Sequence, residues 1–200
     1  MYKSSILKGL KTVGAFIIYK DTLAFMIGPD NFGKKLGIVR IGGRIEENED
    51  LFQCLKREVE EEATIEVKLL NSPYTYYKTS WDDNNYSEVS KETDLDIKPL
   101  VIVGDEKRST AVFLAVSEKE PKPSSEAQGI IFLKEEDIKK ICKGNYSLRD
   151  FLKSGGKLIQ QKHMDDDMEM YAGVHLSFLN ILLQEDNKLF LNLFKKPVHL

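Results

Sequence analysis

At 200 residues, 42% hydrophobic and 30% charged, the chain is long enough for one sizeable core with an extension, and its composition excludes disordered and membrane-embedded classes. The 29 Lys and Arg against 32 Asp and Glu leave a net charge of −3, which excludes a general nucleic-acid binder but allows a small phosphorylated ligand if metal ions cover the charge. Cys54 and Cys142 stand far apart without CxxC spacing, excluding a disulfide framework or cysteine-rich zinc site, and the absence of an apolar spanning run or a leader-like start points to a cytoplasmic protein.

In chain order, Thr12 to Tyr19 is apolar and rich in β-branched and aromatic residues, so it reads as a strand. Lys20-Asp21 supplies a two-residue turn, and Thr22 to Ile27 returns as a second strand. After turn chemistry at Gly28-Pro29-Asp30-Asn31, a short strand over Leu36 to Ile41 stops at Gly42-Gly43. Asp50 to Ala63 is the clearest helix, free of Gly and Pro, with acidic residues at its start. Ile65 to Leu70 is strand-like, and Lys78 to Lys98 is polar enough for a long loop or irregular hairpin. Leu100 to Val103, Thr110 to Val116 and Gly129 to Leu133 read as buried strands, and Glu135 to Lys143 as a helix closed by Gly144. We expect a main domain at 1–144 and a helical extension at 145–200. In the extension, Ser147 caps a short helix, Asp165 to Leu183 forms a longer one, and Leu189 to Phe194 is an apolar tail.

The helix at Asp50 to Ala63 carries the chemistry. At roughly 100° per residue, Leu51, Leu55, Val59 and Cys54 form one apolar stripe. Glu58 and Glu62 fall in the middle of that stripe, with Glu61 beside them. A solvated charged face does not coincide with an apolar one. Clustered carboxylates repel at these spacings, and burying them without a partner is costly. Arg57 reaches Glu61 at i, i+4, but one guanidinium cannot neutralise three glutamates. A hard divalent cation, which prefers carboxylate oxygens, can.

Residues 43–65, GRIEENEDLFQCLKREVEEEATI, resemble the Nudix box, G-x5-E-x7-R-E-U-x-E-E-x-G-U, where U is a bulky aliphatic residue. Gly43, Glu49, Arg57, Glu58, Val59, Glu61, Glu62 and Ile65 are in register, and Thr64 replaces the family glycine. The resemblance implies an α/β/α sandwich around a mixed sheet, here with the C-terminal helical extension. It implies hydrolysis of a nucleoside diphosphate linked to another group, with Mg²⁺ or Mn²⁺ held by Glu58, Glu61, Glu62 and the Gly42 carbonyl. In the same resemblance, Arg57 and Glu49 orient the other carboxylates. Glu126 lies where many Nudix enzymes place a further glutamate, as general base or extra ligand; its plainer reading is an exposed loop carboxylate. A catalytically silent Nudix-like ligand sensor is the alternative function. Threonine is poorly suited to the positive φ of the glycine position, so the turn after the helix should be built differently.

Arg40 and Arg44 flank the glycine pair, where each can meet a phosphate or lie on the surface. Tyr74, Tyr76, Tyr77, Trp81 and Tyr86 can stack on a base, though alternating aromatics more commonly pack a strand. His163, His175 and His199 lack metal-ligand spacing and read as ordinary helix or tail residues, and Asp165-Asp166-Asp167 reads as a helix start. In the Asp165 to Leu183 segment, Met168, Tyr171, Val174, Phe178, Leu179 and Leu182 recur at helical spacing. That stripe requires the extension to dock on the domain or on a second subunit, and a homodimer is expected.

Overall fold

The computed structural model describes residues 7–92, 95–124 and 127–185. The apolar first segments form an antiparallel hairpin, β1 (Leu10–Tyr19) and β2 (Thr22–Pro29), turning at Lys20 with φ of 55°. β3 (Lys35–Val39) follows, then α1 (Leu51–Ala63). β4 (Lys68–Leu70) comes next, and the polar segment after it holds a small irregular hairpin of β5 (Tyr76–Lys78) and β6 (Ser87–Glu88). β7 (Val101–Gly104), β8 (Ser109–Val116) and β9 (Gly129–Leu133) complete the buried strands.

With a later strand, β10 (Lys157–Gln160), these strands belong to one mixed sheet ordered β10-β9-β2-β1-β8-β7-β5-β6, with β3 on β2 and β4 on β8. Helices cover both faces. On one, Cys54, Leu55 and Val59 of α1 pack with Val13, Ala15 and Ile17 of β1 and Phe113 of β8. On the other, Phe16, Phe25, Ile38 and Ile131 meet α2 (Glu135–Lys143), α3 (Leu148–Lys153) and α4 (Val174–Gln184). The expected α/β/α layering is therefore present.

The segment after Gly144, expected to be helical, holds two helices and adds two strands. Ser147 caps α3, its hydroxyl accepting from the Asp150 N–H at 3.1 Å. The chain then adds β10 (Lys157–Gln160) on β9 and β11 (Glu169–Ala172) parallel to β3. Asp165 to Leu183 is thus a turn, a strand and a helix. The break is Gly173, which caps α4 and donates its N–H to the Ile38 carbonyl at 2.9 Å. Phe178, Leu179 and Leu182 enter the core, whereas Tyr171 and Val174 are exposed. The apolar tail at 189–194 lies outside the described residues. Among the described residues no helix is long and apolar enough to cross a membrane.

β2 has one edge shared by two strands. β1 pairs with its Thr22 to Ala24, and β3 takes over from Met26 to Pro29. Beyond β3 the chain crosses onto β1, with Val13 N–H donating to the Gly43 carbonyl at 2.9 Å and Ala15 N–H to that of Ile41 at 3.0 Å. This crossing sets the Gly42-Gly43 turn at the rim of the sheet, beneath the end of α1.

Candidate active site

α1 starts where Asp50 can cap it. The Asp50 carboxylate accepts the N–H groups of Phe52 and Gln53 at 2.8 and 2.9 Å, and the Gln53 side chain accepts the Asp50 N–H at 2.8 Å. Such reciprocal caps satisfy donors the helix cannot. Asp50→Ala should lower unfolding free energy by about 1 kcal/mol in urea melts, whereas an unchanged midpoint would show the cap to be redundant.

Cys54, Leu55, Val59 and Ala63 bury the inner stripe of α1, which anchors the carboxylates along its C-terminal half. Glu58 is half-buried and lies so close to Gly43 that a Cβ there would strike its carboxylate. Glu62, also half-buried, accepts the Gly42 N–H at 2.7 Å. Gly42 itself has φ of 130° and its α-hydrogen side faces the β1 backbone, so no larger residue fits. Both carboxylates therefore meet the glycine turn directly.

Arg57 ties the rest together. Its Nε and Nη2 grip Glu49 as a fork, at 3.1 and 2.8 Å. Its Nη1 donates to Glu58 Oε1 and to Glu61 Oε2, each at 2.9 Å. Nη2 also reaches the Arg44 carbonyl at 3.2 Å. The Arg57 hydrogen bond, followed by the Glu46 N–H, holds the Glu49 carboxyl down to about 2. Hydrogen bonding to Glu49 first, then to Glu61 and Glu58, raises the Arg57 pKa. Among the described residues no three acidic, His or Cys side chains converge closely enough to hold an ion as they stand. The donor chemistry nonetheless fits a hard cation. Arg57 engages one oxygen of Glu58 and one of Glu61, and each carboxylate offers about four lone-pair sites.

Thr64 corrects the expectation of a different turn. It takes the left-handed conformation itself, with φ of 53° and ψ of 35°, and its N–H donates to the Glu60 carbonyl at 3.0 Å. The strain of a β-branched residue there is offset by a hydrogen bond from its hydroxyl to the Lys122 carbonyl at 3.0 Å. The N–H groups of Lys122 and Ser124 in turn donate to the carbonyls of Ala63 and Glu62, at 2.9 and 3.4 Å. This strap docks the 122–124 segment on the end of α1. Glu126 lies outside the described residues.

Arg44 is exposed, but Arg40 is only 8% exposed. Burial draws its pKa down to about 10 against the opposing pull of Glu62 and Glu58. Its Nε donates to His175 Nε2 at 3.1 Å, and the Trp81 ring lies against that imidazole, with centroids 4.4 Å apart. The sequence reads His175 as an ordinary helix or tail residue, because it sits 135 residues from Arg40 with no local pattern to link them. Tyr74 packs on Tyr76, and Tyr76 and Tyr86 each meet Phe178 of α4 edge-on, while the Tyr77 hydroxyl donates to the Gly104 carbonyl at 2.9 Å. His163 is exposed and His199 lies outside the described residues. In the Asp165-Asp166-Asp167 run, Asp167 pairs with Arg149 at 2.6 Å.

A comparison with protein families matches the profile described as NUDIX domain to residues 13–154. Among solved structures, a NUDIX-family hydrolase from Clostridium perfringens is 26% identical, over 66% of this chain and 84% of that one, with a TM-score of 0.46. An ADP-ribose pyrophosphatase from Streptococcus suis 89-1591 is 14% identical, over 89% of this chain and 92% of that one, with a TM-score of 0.42. No curated protein matches the sequence.

Proposed function

Since the chain belongs to the Nudix family and is a Nudix hydrolase, we propose that it cleaves the phosphoanhydride of a nucleoside diphosphate linked to a second moiety, in a reaction dependent on Mg²⁺ or Mn²⁺. The observation that carries this reading is the carboxylate end of α1 seated on the Gly42-Gly43 turn. Glu58, Glu61, Glu62 and the Gly42 carbonyl would hold the ion. A bound divalent cation supplies charge neutralisation for an anionic substrate and lowers the pKa of the attacking water.

This chain's own residues do the rest. Arg57 holds Glu58 and Glu61 in a fixed relation and is itself braced by Glu49. Gly42 N–H fixes one oxygen of Glu62. Buried Arg40 and exposed Arg44 lie on either side of the glycine pair, and both are assigned to the diphosphate, Arg40 through the part of its guanidinium not held by His175 and the Ile41 carbonyl. Glu126 is assigned as the general base or a further ligand. Arg57→Lys should lower kcat more than it raises KM, because an ammonium cannot reproduce a planar fork gripping several carboxylates. A change confined to KM would instead put Arg57 on the substrate.

The experiment for the function is a hydrolysis screen over nucleoside diphosphate derivatives with Mg²⁺ and with Mn²⁺. Cation-dependent release of a nucleoside monophosphate is expected. Tight nucleotide binding without turnover would favour the sensor reading. The apolar stripe from which a homodimer was expected is filled within the chain itself, where Phe178, Leu179 and Leu182 are buried; a homodimer would show in light scattering as twice the 22.9 kDa chain mass.

A further inference from the structure

β3 and β11 run parallel with Ile38 opposite Ala172, so their chains leave the sheet side by side. One continues directly to Arg40. The other turns at Gly173 into α4, whose second residue is His175. Strand register therefore delivers the imidazole to the guanidinium, and the Nε to Nε2 hydrogen bond at 3.1 Å closes the pair. Arg40 Nη1 lies by the Gly42 turn, and a Cβ at Gly14 or Gly42 would strike the guanidinium. The two glycines leave the space that this flat cation occupies.

The arrangement is not what packing alone would select. Accepting a hydrogen bond from Arg40 requires a lone pair on His175 Nε2, so the ring is neutral and its proton sits on Nδ1. That Nδ1 is buried and has no protein partner among the described residues. Burial, then the Arg40 charge, holds the imidazole pKa down to about 3. The neighbouring residues of the same helix, Leu176 and Phe178, are buried and apolar. A buried polar pair with one donor unmet calls for a reason other than stability.

We propose that His175, backed by Trp81, is a positioning residue that fixes the Arg40 guanidinium at the carboxylate rim, where its charge meets the substrate diphosphate. The proposal rests on the diphosphate hydrolase reading given above. It makes α4 part of the substrate-binding apparatus. Arginine has many rotamers; with Nε tied to His175 and Nη1 donating to the Ile41 carbonyl at 3.4 Å, the plane is fixed in which Nη2 is presented.

The test is steady-state kinetics on the best substrate of the screen, for wild type, His175→Ala, His175→Gln, Arg40→Ala and the double variant Arg40→Ala/His175→Ala. His175→Ala should raise KM about tenfold, the loss of one hydrogen bond to a charged group, with a smaller change in kcat. His175→Gln, which restores an acceptor oxygen, should recover most of the loss. In the Arg40→Ala background, removing His175 should have no further effect on KM. An equal KM increase in both backgrounds, or an unchanged KM in folded His175→Ala, overturns the proposal. Long-range ¹H–¹⁵N NMR of the wild-type imidazoles supplies a readout that needs no turnover and no variant. At neutral pH His175 should carry its proton on Nδ1 alone, and protonation of Nε2 overturns the pair. Wild type without turnover would count against the hydrolase reading, while the tautomer still decides whether Arg40 and His175 are joined.

Discussion

Glu62→Gln should lower turnover at least about a hundredfold, since a cation site contributes several kcal/mol of transition-state stabilisation and each tenfold is about 1.4 kcal/mol. Glutamine keeps the volume of the side chain, and its carbonyl oxygen can still accept the Gly42 N–H. Its amide then puts hydrogen-bond donors where the second carboxylate oxygen was, and donors repel a cation. The same change at Glu61 should act alike, because Arg57 already claims its Oε2 and the other oxygen becomes the altered atom. Thermal melts should hardly move, since Glu61 is 44% exposed and Glu62 only half-buried. EDTA should abolish wild-type activity and Mg²⁺ or Mn²⁺ should restore it. Wild-type hydrolysis that survives EDTA would remove the basis of the assignment.

Ending the chain after Gly144 should leave no cooperatively folded protein. The cut removes Leu148, Phe151, Met164, Met170, Leu176, Phe178, Leu179 and Leu182, each 3% exposed or less. Burying side chains of this kind is worth roughly 1.5–3 kcal/mol apiece, and a whole domain is stable by only about 5–15 kcal/mol. The same cut bares β9 where β10 pairs and β3 where β11 pairs, leaving open edges that invite aggregation. Insoluble material, or soluble material without near-ultraviolet circular dichroism, is the expected product. A soluble fragment with the heat stability of the full chain would show the extension to be dispensable.

The parts of the fold that were legible in the sequence are those whose signals are local. The β1–β2 hairpin and α1 carry period, turn and cap chemistry within a few residues of one another. The overlap of Glu58 and Glu62 with the apolar stripe of α1 is matched by their half-burial at the glycine turn. The two late strands were not legible. KLIQ and EMYA are four residues each, and neither alternates strongly enough to declare a face. The aspartates at 165–167 imitate a helix start, and the helical spacing of Met168, Tyr171 and Val174 carries a reader straight through Gly173. That glycine was the available signal: in the middle of a helix it is costly, and here it marks the true start of α4. Thr64 shows a different failure. Propensity disfavours its backbone conformation, and a tertiary hydrogen bond to the 122–124 strap keeps it there. The Arg40–His175 pair had no local signal, since only the parallel pairing of β3 with β11 makes the two residues neighbours.

That parallel pairing also governs when the protein can fold. β1, at the start of the described chain, pairs with β8, and β3 finds its outer neighbour only in β11. Contacts between segments so distant in sequence close large loops, which slows folding. During synthesis the stretch from Gly9 through α1 emerges early, yet β3 has no partner on its outer edge until Glu169 to Ala172 have left the ribosome. Arg40 waits longer still, for a histidine three residues beyond that strand. Nascent chains halted before residue 169 should therefore be open to protease at β3 and should bind holdase chaperones there, with protection arriving in one late step.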